Sequence, residues 1–152
     1  MARRSFFPFL VIVLLAGLAS CSQPLTVEQR IIASIREMEA KVEAGERRPF
    51  MEHIADDFTG QDGAITRDQA QALFIYQLNR HQRLHAQLFP IHVTESSGNT
   101  ASAIFKALVT GGPNWLPDSG QVFEFETQWR LVDDEWYLYE ANWTPALPGE
   151  VY

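Results

Sequence analysis

The only cysteine of the chain, Cys21, is the first residue whose position suggests chemistry. It closes an apolar run over residues 6–19 that follows Arg3 and Arg4. A basic start, a short apolar middle and small residues at the end are typical of a secretory signal peptide. The run is also shorter than the roughly 20 residues that a membrane-spanning helix needs. The sequence therefore predicts that residues 1–20 are cleaved as a signal peptide. The alternative is a cysteine packed as a small apolar side chain at the end of an uncleaved anchor.

The residues at the cut point, Leu18-Ala19-Ser20-Cys21, resemble the lipobox of bacterial lipoproteins. In that family the peptide is cleaved before the cysteine, which is then acylated, so the resemblance implies a fatty-acid anchor of the palmitate type on Cys21. Two anchoring signals already suffice for stable membrane attachment. Ser22 follows the cysteine, where Asp would favour retention in the inner membrane. The resemblance thus implies a cell-envelope protein on the outer membrane, facing the periplasm.

The charge of the chain limits its partners. The formal net charge is −7, and removal of residues 1–20 would take away two arginines and make it more negative. An acidic surface repels phosphate backbones, which argues against nucleic acid as a partner. It does not attract anionic lipid either, so the acyl chains on Cys21 are the expected membrane contact.

Local signals place three helices in the first half of the chain. Thr26 to Gln29 and Thr66 to Gln69 both have the capping-box pattern. The first predicts a helix that ends at Gly45, and the second predicts a helix whose inner face includes Phe74. Between them, a short helix is expected to begin near Pro49 and to end before Asp56.

The second half of the chain reads as strands. They are predicted over residues 84–95, 101–110, 121–132 and 135–144, with Pro90 marking an edge or a bulge. The expected organisation is a lipidated tether over residues 21–25, one domain over residues 26–146 and a loose tail over residues 147–152.

A two-residue turn at Asp133-Asp134 fixes the register of the last predicted hairpin. It sets Trp129 opposite Leu138. Alternation then gives one face with most of the apolar side chains, because a one-residue slip would bury the charged ones. That predicted core face consists of Phe123, Phe125, Thr127, Trp129, Leu131, Trp136, Leu138, Glu140 and Asn142. The sequence therefore predicts that Glu140 and Asn142 point inward among aromatic side chains.

The order of elements, with the pattern Trp-x-Leu-x(4)-Trp-x-Leu over residues 129–138, resembles the nuclear transport factor 2-like superfamily. This superfamily includes ketosteroid isomerase and the polyketide cyclases, and the likeness covers residues 26–144. The resemblance implies an α+β fold, a cone in which three N-terminal helices pack on a strongly bent, antiparallel-rich sheet around an open pocket. It also implies that the exposed sheet face, with Tyr137 and Tyr139, can form a homodimer.

Two carboxylates are candidate catalytic residues. Residues 55–62 resemble the stretch of ketosteroid isomerase that ends in the general base, and Asp62 matches that base. Glu140 could act with Asp62 as a carboxylate pair, one protonated and one charged. The alternatives are purely structural: Asp62 is a turn residue, and Glu140 lies at the edge of the core with hydrogen bonds from its neighbours. The first predicted helix has no tyrosine to stabilise an enolate oxygen, as that family requires, so the sequence favours binding over catalysis.

The favoured hypothesis is a non-enzymatic pocket for a small apolar or amphiphilic ligand. The expected ligand-binding residues are Phe74, Phe123, Phe125, Thr127, Trp129, Leu138 and Asn142, with Trp115 in the loop over residues 111–120 as a lid. The alternatives are an isomerase or cyclase using Asp62, and an adaptor that docks another envelope protein. His81 and His85 have the spacing of two metal ligands, but no third ligand is evident, so no metal or other cofactor is expected.

Overall fold

The computed structural model describes residues 24–81, 83–112 and 119–146. The predictions for the signal peptide, for Cys21, for Trp115 and for the tail over residues 147–152 lie outside them. Within the described residues no helix is both long and apolar enough to span a bilayer. The elements in chain order are α1 (Val27–Ala44), α2 (Arg47–Glu52), β1 (Ile54–Gly60), β2 (Ile65–Thr66), α3 (Arg67–Arg80), β3 (Leu84–Leu88), β4 (His92–Ser97), β5 (Thr100–Gly111), β6 (Ser119–Val132) and β7 (Glu135–Pro145).

Both predicted capping boxes are confirmed. The Thr26 hydroxyl accepts the Gln29 N–H at the start of α1, and the Gln29 side chain accepts the Thr26 N–H in return. Thr66 and Gln69 make the same pair of hydrogen bonds at the start of α3. Gly45 ends α1 with φ 69°, a left-handed conformation that glycine adopts without strain. The two helices therefore begin where local hydrogen bonding alone would start them.

Strand β1 corrects the sequence prediction, which ran the second helix on to residue 55. The helix α2 ends at Glu52, and β1 runs parallel to β7, with Ile54 opposite Leu138. Burial follows strand alternation over part of this segment, because Phe58 is buried while Asp57 and Thr59 are exposed. Pairing with a strand some eighty residues later, rather than local propensity, decides the structure here.

Within the described residues the sheet has seven strands, in the order β2-β1-β7-β6-β5-β3, with β4 also paired to β5. The predicted strand over residues 84–95 is divided at Pro90. Its two halves, β3 and β4, pair with opposite ends of the long strand β5. Proline cannot donate to a ladder, which explains the break.

The hairpin β6–β7 confirms the predicted turn and part of the predicted register. Asp133 and Asp134 both have positive φ, at 49° and 66°, as the favoured two-residue hairpin turn requires. Trp129 lies opposite Leu138 as predicted. Beyond that pair a β-bulge leaves Tyr139 as an extra residue, because Gln128 pairs with Glu140.

The bulge corrects the predicted direction of two side chains. Thr127 lies opposite Ala141 instead of Glu140, and Phe125 lies opposite Trp143 instead of Asn142. The extra residue reverses the alternation, so Ala141 and Trp143 take the inner positions and Glu140 and Asn142 turn away.

The core lies between α1 and the inner face of the sheet. Ile31 and Ile35 of α1 are buried there with Trp129, Trp136 and Leu138 of the last hairpin. The predicted fold class is confirmed: the domain is α+β, with N-terminal helices on a mixed, mostly antiparallel sheet. The helices cover only part of this face, since none of the residues of α3 is fully buried. This incomplete covering leaves room for a cavity.

Candidate functional site

A cavity of about 660 Å³ lies between the helices and the inner face of the sheet. Six of the predicted ligand-binding residues line it, namely Phe74, Phe123, Phe125, Thr127, Trp129 and Leu138. Each side of the cavity has an aromatic pair of its own. Phe50 of α2 stacks on Phe74 of α3 with ring centroids 4.7 Å apart. On the sheet, Phe105 stacks on Phe125 at 5.2 Å.

The cavity wall also contains aromatic residues that were not predicted from the sequence. Trp143 lines the cavity because the bulge turns it inward, and its ring lies 6.5 Å from that of Phe125. Phe50 and Phe105 line it as well. Phe105 has the alternation of a strand whose inner positions include Ala103 and Ala107, and this pattern could have revealed it. No local signal in the sequence marks the bulge at Tyr139.

Thr127 is the buried polar residue of the cavity wall. Its hydroxyl donates to the Ala103 carbonyl at 2.8 Å and accepts the Trp129 indole N–H at 3.0 Å. Both bonds stay within the protein, so Thr127 fixes the Trp129 ring against the strand β5. It is a structural residue of the wall more than a free polar group for a ligand.

The structure does not bring the two predicted catalytic carboxylates into the cavity. Asp62 is exposed, in the turn after β1 with φ 55°, and its own N–H donates to the Asn142 side-chain oxygen at 2.8 Å. The Asn142 amide donates in turn to Glu140 at 3.4 Å. None of the three residues lines the cavity. The predicted placement of Asp62, Glu140 and Asn142 in the pocket is therefore wrong, because of the turn in one case and the β-bulge in the others.

The side chain of Gln61 also binds this turn to β7. The Gln61 amide donates to the Trp143 carbonyl at 3.0 Å, and its oxygen accepts the Trp143 N–H at 3.2 Å. These bonds replace strand pairing where β1 ends. The turn that carries Asp62 therefore holds the backbone of Trp143, whose side chain lines the cavity.

The remaining polar side chains of the cavity wall are Glu39, Gln77, His81 and Gln121. Glu39 accepts the Leu88 N–H at 3.2 Å and so supports the edge strand β3. His81 ends α3, whereas His85 lies on β3 and its Nδ1 is 3.6 Å from Glu43. In the part of the chain that the structure describes, no group of three or more His, Cys, Asp or Glu side chains could hold a metal ion.

An ion pair ties three strands together outside the cavity. Arg130 of β6 binds the Asp57 carboxylate of β1 with both of its terminal nitrogens, across the intervening strand β7. The guanidinium also lies over the Tyr139 ring, 5.4 Å from its centroid. The hydrogen bonds from Arg130 lower the pKa of Asp57 from its usual value. This cluster braces the outer face of the sheet at the position of the bulge.

We expect Asp57→Asn to destabilise the domain only where the carboxylate is charged. A pKa lowered in the folded state stabilises the fold above the unfolded pKa of about 3.9, and this stability is lost as the pH falls through the lower folded value. The Asp57 side chain is 65% exposed and the Arg130 side chain 35%, so the expected loss of unfolding free energy near neutral pH is below about 1 kcal/mol. Urea denaturation near neutral pH and at strongly acidic pH measures it. The control is Asp56→Asn. Asp56 is fully exposed, and its oxygen lies 3.9 Å from Arg67, too far for a hydrogen bond. An equal loss at both pH values would contradict the ion-pair explanation.

Solved structures show what this arrangement resembles. An NTF2-like protein of unknown function from Pseudomonas putida aligns with a TM-score of 0.67 and 14% identity, over 84% of this chain and 93% of that one. A protein of unknown function with a cystatin-like fold from Nostoc punctiforme gives 0.65 and 16%, over 84% and 97%. A provisionally named scytalone dehydratase from Novosphingobium aromaticivorans gives 0.69 and 12%, over 79% and 84%.

Sequence comparison adds no relative, since no protein-family model matches the chain and no curated protein matches it significantly. At such low identities the structural likeness concerns the fold alone. Proteins with this fold include ones of unknown function and ones named as dehydratases. The domain is therefore identified by its architecture: it has the α+β fold of the nuclear transport factor 2-like proteins, built around an aromatic cavity.

Proposed function

We propose that this chain is a membrane-anchored envelope lipoprotein whose domain binds a small apolar or amphiphilic ligand without transforming it. The observation that carries the proposal is the cavity of about 660 Å³ with predominantly aromatic and aliphatic walls. Its volume lies within the roughly 300–1,000 Å³ typical of small-molecule sites. A single-domain protein packs its interior nearly as densely as a crystal, so a space of this size is an unusual feature of a small fold.

The polar groups of the cavity support binding more than catalysis. A general base must reach the proton that it abstracts, and an oxyanion needs donors aimed at it. Asp62 and Glu140 lie outside the cavity lining, and Thr127 and Glu39 already bond the protein backbone. An apolar pocket with few available polar groups fits a ligand that is held by burial of its apolar surface.

Titration with the fluorescent apolar probe N-phenylnaphthylamine tests the binding proposal. The protein to use is the chain from residue 22 onward, which contains every described element and the buried core. We expect a saturable rise in probe emission with one probe bound per domain, because the structure offers the probe an apolar cavity. A signal that rises linearly without saturation, as for surface partitioning, would contradict the proposal.

The proposed anchor makes a separate prediction. Cys21→Ser should abolish incorporation of labelled palmitate and move the protein from the membrane fraction to the soluble fraction, since two or more acyl chains account for the attachment. Metabolic labelling followed by fractionation of the cells measures both effects. The matched control is Ser22→Ala, which leaves the acylated sulfur in place. If the Cys21→Ser protein still incorporates labelled palmitate, or if the unaltered protein incorporates none, the anchor is not a lipid on this residue.

A further inference from the structure

Three polar residues of the cavity wall, Gln77, His81 and Gln121, lie at one end of the cavity. Gln77 and His81 stand one turn apart at the end of α3, where the Gln77 carbonyl accepts the His81 N–H at 2.9 Å. Gln121 lies at the start of β6 and pairs with Val109 of β5. His81 contacts Gly111, two positions further along the same strand, so the helix end and the strand ends meet here. Trp129, towards the far end of β6, marks the apolar end.

The His81 ring packs against the backbone at Gly111 in the cavity wall, a position that we call its seat. A Cβ atom at Gly111 would lie 2.6 Å from both Cγ and Nδ1 of His81, well inside contact distance. The ring can therefore pack directly on the backbone of β5 only because residue 111 is a glycine. The seat holds the imidazole in the wall of the cavity, where His81 is half-buried.

Among the described residues the His81 ring has no polar partner. Within the described ranges no hydrogen bond or ion pair reaches either ring nitrogen, although the neighbouring His85 pairs with Glu43. A ligand that displaces water from the ring must supply a hydrogen bond in its place, or the imidazole is left unpaired in an apolar wall. A neutral imidazole presents one donor and one acceptor, which matches a hydroxyl or carbonyl group.

We propose that His81 recognises the uncharged polar end of an amphiphile, a hydroxyl or carbonyl group, while the apolar body of that molecule extends toward Trp129. This inference rests on the proposed function of the cavity and adds the class of its ligand. The charge of the site selects against anions. The other polar residues at this end of the wall are the uncharged Gln77 and Gln121, Glu39 belongs to the same wall, and the whole chain carries −7.

Displacement of bound N-phenylnaphthylamine by decanol, decanoate and decylammonium tests this inference, because the three compounds share a chain and differ in the head group. Decanol is expected to displace the probe at the lowest concentration. In His81→Phe the affinity for decanol should fall about tenfold relative to the affinity for the probe, the loss expected for one hydrogen bond. Decanoate or decylammonium as the best competitor, or an unchanged ratio in His81→Phe, would overturn the inference.

Gly111→Ala supplies a second variant that leaves His81 itself in place. Its added methyl group must push the ring off its seat, so it should lower the decanol-to-probe ratio in the same direction. The control is Gly98→Ala in the turn before β5, where an added Cβ meets nothing within 4 Å. Failure of the probe to bind the unaltered domain refutes the proposed function and this inference together. Normal probe binding with no effect of either His81→Phe or Gly111→Ala refutes this inference alone.

Discussion

Replacing Trp129 with alanine is expected to lower the free energy of unfolding by about 3–5 kcal/mol, the usual loss when a large core aromatic is truncated. Trp129 is 1% exposed and belongs to the buried cluster beneath α1. Its indole also donates to Thr127, whose hydroxyl would lose that partner. The cavity next to it makes collapse around the deleted ring difficult, which places the expected loss at the upper end of the range.

Urea denaturation followed by circular dichroism measures this loss without relying on tryptophan fluorescence. The matched control is Val132→Ala on the same strand, because Val132 is 43% exposed and should cost less than about 0.5 kcal/mol. A loss below about 1 kcal/mol for Trp129→Ala would mean that the core does not depend on this side chain.

The second large effect is expected on ligand binding. Val109→Trp places an indole inside the cavity, since Val109 lies on the inner face of β5 with Phe105 and Ala107. The ring occupies the space that a ligand would fill, so the affinity for N-phenylnaphthylamine should fall at least about tenfold, equivalent to roughly 1.4 kcal/mol. The fold should survive, because the added side chain enters an open space and not a packed region.

Ile104→Trp is the matched control for this variant. Ile104 belongs to the same strand but is 48% exposed on the opposite face of the sheet. It should bind the probe as the unaltered domain does. Equal loss of probe binding in both variants would place the probe somewhere other than the cavity.

The parts of the fold that the sequence predicted correctly are those that depend on nearby residues. Thr26 and Thr66 start helices through hydrogen bonds to the residue three positions later. The turn at Asp133-Asp134 sets the local register of the last hairpin by its own geometry. Such features are readable because the partners are close in sequence.

The parts that were mispredicted depend on distant partners. Residues 54–60 form a strand because β7 offers a parallel edge, and no local pattern announces that pairing. The β-bulge at Tyr139 lies at the point where the Arg130–Asp57 pair crosses β7. One extra residue in β7 then reversed the predicted directions of Glu140 and Asn142.

The candidate site divides in the same way. The aromatic residues of β6 were predicted because the extra residue belongs to β7, so β6 itself keeps simple alternation. Trp143 was missed because it follows the bulge. His81 was considered only with His85 as a possible metal ligand, and the contact with Gly111, thirty residues later, shows that its ring belongs to the cavity wall.

The most direct test of the binding account is native mass spectrometry of the chain from residue 22 onward, exported behind a signal peptide without a lipidated cysteine and purified from the periplasm of a bacterial host. The account predicts a small apolar or amphiphilic molecule bound one to one to the unaltered domain and missing from Val109→Trp. A bare protein mass in both preparations, or the same adduct in both, would contradict the claim that the cavity is a ligand site.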